Sequence, residues 1–266
     1  MKWLLFWLTA FVVVAVALAA GWVTLPGAIT GSGRIVTEEV AVASFDRIML
    51  ATPGELRLVQ GDIPRLQIRA DDNVRQALEI TAQDGVLMLR TKPDVALLHK
   101  MTLVYEVTAP MLRSLTVAGS GNVTAAPLTV DAFALSISGS GDVTLAALNA
   151  RRAALEISGS GDLRIDQLAA DTVEAMVSGS GAMQLAGRAQ EASLRLDGSG
   201  AIDASALAVS DASVDASGSS DAVVWAQSSL NVAINGSAAV HYYGEPDVMR
   251  AQGRSEKLIA LGARRN

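Results

Sequence analysis

A Gly-Ser-Gly triplet returns at nearly constant spacing through the second half of the chain, and this repeat restricts the fold more than any other feature. The steps between successive copies are 20, 20, 20, 19, 20 and 18 residues. A repeat near 20 residues is too short for an independent domain and indicates a unit that is stable only when stacked on its neighbours. The copies begin at Gly119, Gly139, Gly159, Gly179 and Gly198, with variants at Gly218 and Gly236 and a weaker one at Gly253.

Each repeat has the same internal pattern. An alternating segment such as Leu115–Val117 precedes the triplet, and one apolar residue such as Val123 begins a second segment after it. Alternation with period two predicts short strands with one face buried, and the repeat has no room for a helix. The sequence therefore predicts an all-β fold, a parallel β-solenoid with coils of ~20 residues. Parallel crossovers are right-handed, so we expect a right-handed, single-stranded β-helix.

The triplet glycines are predicted to be structural turn positions. Glycine accepts a positive φ and lets the backbone approach the coil below, and either need would explain the repeat. Stacking would also align the triplet serines, such as Ser120 and Ser140, so that their hydroxyls form a ladder. The predicted turn positions are Gly119, Gly121, Gly139, Gly141, Gly159, Gly161, Gly179, Gly181, Gly198, Gly200, Gly218 and Gly236.

Residues 34–112 are less regular but still read as short strands separated by turn signals such as Asp84-Gly85. Residues 73–80 could form one helical turn. We expect one continuous solenoid with an irregular first half, covering residues 31–249 and regular from about residue 113. Residues 250–266 are expected to form a degenerate last coil and a solvated basic tail.

The first residues are apolar, and no charge occurs between Lys2 and Arg34. Residues 1–20 are predicted to be an export signal, with Ala17-Leu18-Ala19 as the small-residue cleavage site. The alternative is an uncleaved membrane anchor over residues 3–25, because the apolar leader helix is long enough to span a bilayer. In both cases residues 34–266, the body of the protein, leave the cytoplasm for the periplasm or cell surface. With an uncleaved leader the body remains anchored to the inner membrane.

Composition excludes several classes of function. The chain has no cysteine, so disulfides, thiolate metal sites and cysteine nucleophiles are absent. A net charge of −6 argues against nucleic acid and against anionic membrane surfaces, so any membrane contact would be through the leader. Ligands that bind by stacking need aromatic side chains, and the body offers few: Phe45, Tyr105, Phe133, Trp225, Tyr242 and Tyr243.

A row of acidic and amide side chains follows the triplets, at Asn122, Asp142, Asp162 and Asp221. Stacked carboxylates could hold calcium. However, calcium solenoids repeat every nine residues, and alanines interrupt this row. We therefore expect these side chains to hydrogen-bond the backbone of their own turn, with no metal and no cofactor. A phosphate cradle is disfavoured because each triplet is followed by a strand and not by a helix.

The remaining candidates for chemistry are sparse. His99 and His241 are far apart, and no motif frames a serine nucleophile, so we expect no enzyme. The aromatic group His241–Tyr243 with Trp225 is either a small binding patch or, preferably, a cap on the last coils. Arginines are scattered without the cluster that a polysaccharide-cleaving solenoid would need: Arg151, Arg152, Arg164, Arg188 and Arg195 in the repeats, and Arg250, Arg254, Lys257, Arg264 and Arg265 at the end.

The order of several short segments resembles the head GIN domain family of auto-transporter adhesins. The segments are Gly31–Glu39, Phe45–Ile48, Gly54–Asp62, Ile68–Asn73 and Asp84–Leu89, followed by the serial triplets and then by Gly236–Pro246. The resemblance implies a β-solenoid, export, and an adhesive or structural role. The family has no established catalytic residues to transfer. Ser220 and Ala238 replace the last triplet glycine, and Ala182, Ala201 and Ala239 replace the usual Asp or Asn.

Together these features predict an exported, non-catalytic β-solenoid that acts as a structural or adhesion-type module, with an envelope protein or surface ligand of unknown identity as partner. The alternative is a membrane-anchored sensing or regulatory domain of the envelope. The hypothesis of a polysaccharide-processing enzyme is the least favoured of the three.

Overall fold

The computed structural model describes residues 27–98, 100–253 and 257–264. Within these residues the chain is all-β apart from one short helix, α1 (Asp72–Gln76). None of the helical structure found there is long and apolar enough to cross a membrane. The predicted leader helix, its cleavage site and the alternative anchor lie outside the described residues, as do His99, Arg254 and Arg265.

The strands divide into an N-terminal group, β1 to β9, and a solenoid group, β10 to β21. The first group is β1 (Ala28–Ile29), β2 (Ile35–Val40), β3 (Arg47–Ala51), β4 (Glu55–Gln60), β5 (Arg65–Asp71), β6 (Leu78–Gln83), β7 (Val86–Thr91), β8 (Ala96–Leu97) and β9 (Leu103–Ala109). The second is β10 (Ser114–Val117), β11 (Asn122–Ala125), β12 (Leu128–Ile137), β13 (Val143–Leu145), β14 (Leu148–Ile157), β15 (Leu163–Val177), β16 (Ala182–Gly198), β17 (Ala201–Gly218), β18 (Asp221–Ile234), β19 (Ala239–Tyr243), β20 (Asp247–Gly253) and β21 (Leu258–Ala260).

The second group confirms the predicted β-solenoid, which has about 7 turns. Every ladder among β10 to β21 is parallel, and residues 20 apart are paired at the start: Leu115 with Leu135, and Leu135 with Leu155. Parallel neighbours lie ~4.8 Å apart, so each side chain stands almost directly above its counterpart in the next coil. The inward residues are nearly all Leu, Ile, Val or Ala, and they form one continuous core.

The 19- and 18-residue steps of the triplet are absorbed on the same side of the coil. Between β15 and β16 the pairing is 20 residues at Leu163–Met183 but 19 at Leu168–Gly187. Between β17 and β18 the pairing changes over Ala204 to Asp211. These register shifts lie between Ile165 and Leu168 and between Ala204 and Asp211, after the post-triplet segment and before the pre-triplet segment of the next coil. The triplets therefore stay aligned although the repeat length changes.

Several strands are longer than the sequence predicted. The alternating pattern predicted short strands, yet β15, β16 and β17 run for 15, 17 and 18 residues. The ladder continues around a corner of the coil because bulges bend the strand there without breaking the pairing.

The prediction of one continuous solenoid is correct only in part for residues 34–112, which form a mixed cap. Strands β3 and β4 extend the solenoid by pairing parallel with β10 and β11, and β7 and β9 pair parallel with β3 and β4 in turn. The departure from the prediction is antiparallel pairing, which joins β2 and β9 to β5 and joins β6 to β7. The β6–β7 hairpin turns through Asp84 and Gly85, whose φ values of 50° and 76° fit the tight turn that such sequences favour. Helix α1 covers only part of the predicted helical segment, because Leu78 already begins β6.

Candidate functional surface

The triplets stack so closely that their glycines have no room for a side chain. A Cβ built on Gly139 would overlap the carbonyl oxygen of Gly119, and one on Gly159 would overlap that of Gly139. The contact includes a hydrogen bond, because the N–H of Ser140 donates to the Gly119 carbonyl at 3.2 Å. Close approach of the backbone is thus one physical reason for the repeated glycine.

Positive φ plays a smaller part than the sequence suggested. Among the twelve predicted turn positions, φ is positive only at Gly198, Gly218 and Gly236, with values of 130°, 76° and 70°. In the earlier triplets the glycines have ordinary negative or extended φ angles, so the neighbouring coil alone excludes a side chain there. The last coils combine both constraints.

The hydroxyl ladder that we predicted for the triplet serines is absent from the described side-chain hydrogen bonds. The serines are linked through their backbone, as in the bond from the Ser160 N–H to the Gly139 carbonyl at 3.1 Å. Their side chains at Ser120, Ser140 and Ser160 are exposed. Exposed hydroxyls can be satisfied by water, so they do not need one another.

The acidic row does not bond its own turn, contrary to our expectation, but joins one coil to the next. A side-chain oxygen of Asn122 accepts the N–H of Asp142 at 2.9 Å, and that of Asp142 accepts the N–H of Asp162 at 3.0 Å. Asp162 then accepts the N–H of Ala182 at 2.8 Å, where the row ends. No group of three or more His, Asp or Glu side chains in the described part of the chain is arranged to hold a metal ion.

Replacing Asp142 with alanine should lower the free energy of unfolding by about 0.5–1.5 kcal/mol, because the N–H of Asp162 loses its acceptor. Asp142→Asn keeps a side-chain carbonyl in the same place and should cost less. Urea unfolding of both variants measures the difference. If the alanine and asparagine variants lose equal stability, the ladder contributes nothing.

The aromatic group near the end of the solenoid is covered by the C-terminal segment. Trp225 and Tyr243 are neighbours on β18 and β19, and the Arg264 guanidinium lies 4.7 Å from the centroid of the Trp225 ring. The N–H of Leu261 donates to the Tyr242 carbonyl at 2.8 Å. His241 lies between Val223 and Ile259 in the ladder. These contacts favour a cap over an open binding patch.

The arginines of the repeats are dispersed around the coil and mostly face acids of their own surface. Arg151 pairs with Asp131, and the hydrogen bond from Arg151 lowers the pKa of that carboxyl. Arg164 pairs with Asp166 at 2.6 Å. Arg151 and Arg188 line one hollow together, but Asp131 and Asp171 line it as well, so their charge is compensated.

One outer surface of the solenoid contains two adjoining hollows. We call it the pre-triplet face: the outward side chains of the strand segments that precede each triplet. A shallow groove of about 440 Å³ crosses this face, lined among others by Ala134, Ala154, Glu174, Met176 and Arg195. A second hollow of about 360 Å³ adjoins it and shares both alanines. The hollows lie where the small residues Ser114, Ala134 and Ala154 follow one another in one column, below the longer Glu174.

A second feature lies at the opposite end of the described chain, where residues 30–34 form a strap across the cap. The buried Asp71 carboxylate accepts the N–H groups of Gly33 at 2.6 Å and of Thr102 at 2.7 Å. Asp72 accepts the Ser32 hydroxyl at 2.5 Å and pairs with Arg34. The strap therefore joins the start of the described chain to the cap.

Asn73 completes the strap's attachment. Its side-chain oxygen accepts the Ser32 N–H at 3.1 Å, and its amide donates to the Thr30 carbonyl at 2.7 Å. This contact was not predicted from the sequence, although both partner segments were part of the family resemblance. The signal that could have indicated it is the run of three short polar side chains, Asp71 to Asn73, at the start of helix α1.

The strap should loosen when Asp72 is protonated. The hydrogen bond from Ser32, together with Arg34, lowers the pKa of Asp72 from its ordinary value. A carboxyl with a lowered pKa in the folded state stabilises that state above its unfolded pKa of ~3.9, and the effect is lost as the pH falls through the lower folded value. Amide exchange at Gly33 and Arg34, corrected for intrinsic rate, should thus stay slow from pH 7 to about pH 4 and accelerate below.

The matched control for the strap is another paired acid of the cap. Asp72→Asn should accelerate exchange of the strap amides at pH 7, whereas Glu79→Gln, which removes an ion pair with Arg90, should leave them unchanged. Equal exchange in both variants would show that Asp72 does not hold the strap.

The family of this chain follows from its match to a family model. The model "Putative auto-transporter adhesin, head GIN domain" matches residues 44–246, which is most of the chain. The chain belongs to the head GIN domain family. No curated protein matches it.

Solved structures show the same fold as this head GIN domain. A crystal structure titled putative lipid binding protein, from Parabacteroides distasonis, has 23% identity and a TM-score of 0.81, covering 89% of this chain and 98% of that one. A putative adhesin from the same organism has 24% identity and a TM-score of 0.79 with the same coverage. A putative adhesin from Parabacteroides merdae has 23% identity and a TM-score of 0.75, again covering 89% and 98%.

Proposed function

We propose that this head GIN domain is an exported, non-catalytic adhesion-type module of the cell envelope, placed in the periplasm or at the cell surface. The observation that carries the proposal is the alignment of outward side chains in columns, one residue per coil. In one such column Thr124 is followed by Thr144, Arg164 and Gln184. A surface that repeats every ~4.8 Å offers many equivalent weak contacts to an extended ligand.

Two further observations support this function. The family is described as adhesins, which agrees with a binding role. In addition, the described grooves are shallow and open, without the converging acid, base and nucleophile that catalysis needs. We infer a partner among envelope proteins or surface glycans, with nucleic acid excluded by the acidic net charge.

The proposal is tested on cells that produce the full chain. A membrane-impermeant amine reagent should label it in intact cells, or in cells whose outer membrane has been opened. Beads coated with the native chain should also be retained by immobilised envelope material, and beads coated with the heat-denatured chain should not. Labelling only after complete lysis would overturn export, and equal retention of native and denatured beads would overturn adhesion.

The strap favours a second candidate, a membrane-anchored sensing or regulatory domain. Residues 30–34 are held against the cap by Asp71, Asp72 and Asn73. An uncleaved leader would therefore be connected to the domain at one fixed position on the cap. Fractionation separates the candidates: retention of the chain in carbonate-washed membranes with an intact N-terminus supports the anchored domain. Release in a shortened form supports the cleaved adhesin.

A further inference from the structure

The pre-triplet face carries opposite charges on its two halves. On the N-terminal half Arg47 and Arg113 share the single carboxylate of Asp46, at 3.4 and 3.5 Å. Arg152 has no carboxylate within 4 Å among the described residues. Against these three arginines this half carries the acids Asp46 and Glu156, so it has a small excess of positive charge around the groove.

The C-terminal half of the same face is acidic. The ladder continues from Arg152 through Thr172 to Glu191 and Asp211, while Glu174 stands in the neighbouring column. These three carboxylates form no ion pair within the described residues. The cation on this half is Arg195, 4.0 Å from Asp215.

The two halves also differ in side-chain size. Around the groove the outward positions of β10 and β12 are Ser114, Thr116, Ala134 and Ser136, and Ala154 follows on β14. Glu174 and then Ser193 continue the column of Ala154, while Glu156, Met176 and Arg195 continue the column of Ser136. The floor of the groove is therefore lowest at Ala134 and Ala154, and Glu174 rises beside it.

From this arrangement we propose that the pre-triplet face binds a second copy of the same chain, with the two solenoids antiparallel. A two-fold axis that lies in the interface, parallel to the strands and between β14 and β15, brings β10 opposite β17 and β12 opposite β16 of the other copy. Because this axis preserves the ladder columns, it places Glu191 of one copy over Ala132 of the other, beside Arg152, and places Glu174 over the small Ala154. Each basic half then covers an acidic half, and each Glu174 fills the low floor at Ala154.

A second copy fits this face better than an unrelated partner does. A basic protein would complement only the C-terminal half of the face, and an acidic one only the N-terminal half. A two-fold contact uses the same patch on both copies and closes without forming fibres. The six strands β10, β12, β14, β15, β16 and β17 cover ~30 Å, so the contact buries roughly 1,000 Å² in total. That is the lower limit for a specific interface, and the dimer should be weak, concentration-dependent and sensitive to salt.

The chain suits a direct test because it contains no cysteine. In the full chain, Ala154→Cys places a thiol beside the proposed axis, and Ala146→Cys places a matched thiol on an exposed alanine of another surface. A short bis-maleimide should cross-link the Ala154→Cys chain to a dimer at least about tenfold more efficiently than the Ala146→Cys chain. The yield should fall at high salt. Equal or negligible yields for both would overturn the proposal.

Charge reversal tests the orientation of the two copies. In the Ala154→Cys background, Arg152→Glu should reduce the cross-linked yield about tenfold, and adding Glu191→Arg should restore it. Arg164→Glu, on a different face, should leave the yield unchanged. Failure of the double variant to recover would exclude the antiparallel arrangement. All these positions are on the surface, and circular dichroism of each variant confirms that the solenoid is retained. The inference does not depend on export or adhesion.

Discussion

Substitution of Gly159 by alanine is expected to destabilise the solenoid by about 2–4 kcal/mol. The added Cβ would overlap the Gly139 carbonyl oxygen and would lie 2.8 Å from the carbonyl oxygen of Ser138. Both obstacles are backbone atoms of the coil below, so no side chain can move aside. Relief requires the coils to separate locally, which breaks their hydrogen bonds and loosens the packing of the core.

Urea and thermal unfolding measure this effect, and Ser160→Ala provides the control within the same turn. The Ser160 side chain is exposed and only its backbone N–H is used between coils, so its loss should change the free energy of unfolding by less than about 0.5 kcal/mol. A Gly159→Ala protein as stable as Ser160→Ala would show that the coils can separate at little cost.

The regular part of the fold could be predicted because each coil repeats the same local information. Leu115, Leu135 and Leu155 occupy equivalent positions in the sequence and are paired in the structure. The spacing between triplets sets which residues of neighbouring coils are paired. The same pairing determines which side chains point into the core and which point outward. A change of one residue shifts the register at a corner and leaves the core columns intact, as at Leu168 and Gly187.

The cap could not be predicted in the same way, because its pairings are neither local nor repeated. Ile35 pairs with Asp71 and Leu66 pairs with Val107, and nothing in these short segments states which strand is the neighbour or its direction. The antiparallel strands continue from β3 and β4 and take up edges that the solenoid would otherwise leave open. Their arrangement depends on the completed stack.

The candidate surfaces were only partly visible in the sequence for a related reason. The row at Asn122, Asp142 and Asp162 was evident, but its hydrogen bonds point to the next coil because each side chain lies within 3.0 Å of the following backbone N–H only after stacking. The strap likewise joins residues 38 positions apart, Gly33 and Asp71. Contacts between coils and across the cap are properties of the assembled fold.

The second large effect is expected for Leu145→Ala, in the core of the solenoid. Leu145 is fully buried on β13, where its ladder neighbours are Ala125 below and Ile165 above. Truncating a buried leucine costs about 2–5 kcal/mol, and the cost rises with the volume of the cavity that remains. Because Ala125 is already small, no large side chain on that side can fill the cavity. We therefore expect the free energy of unfolding to fall by about 4 kcal/mol.

Two variants of the same strand isolate the cause. Thr144→Ala alters the adjacent outward side chain and should cost less than about 1 kcal/mol, because an outward methyl and hydroxyl leave no cavity behind. Leu145→Met retains the volume in a flexible side chain and should cost less than about 1.5 kcal/mol. If Leu145→Ala instead lost under about 1 kcal/mol in urea unfolding, the coil would have to collapse into the space. That collapse would draw β11 and β13 inward and disturb the outward column at Thr124 and Thr144, so the same substitution would then weaken any ligand held by that column.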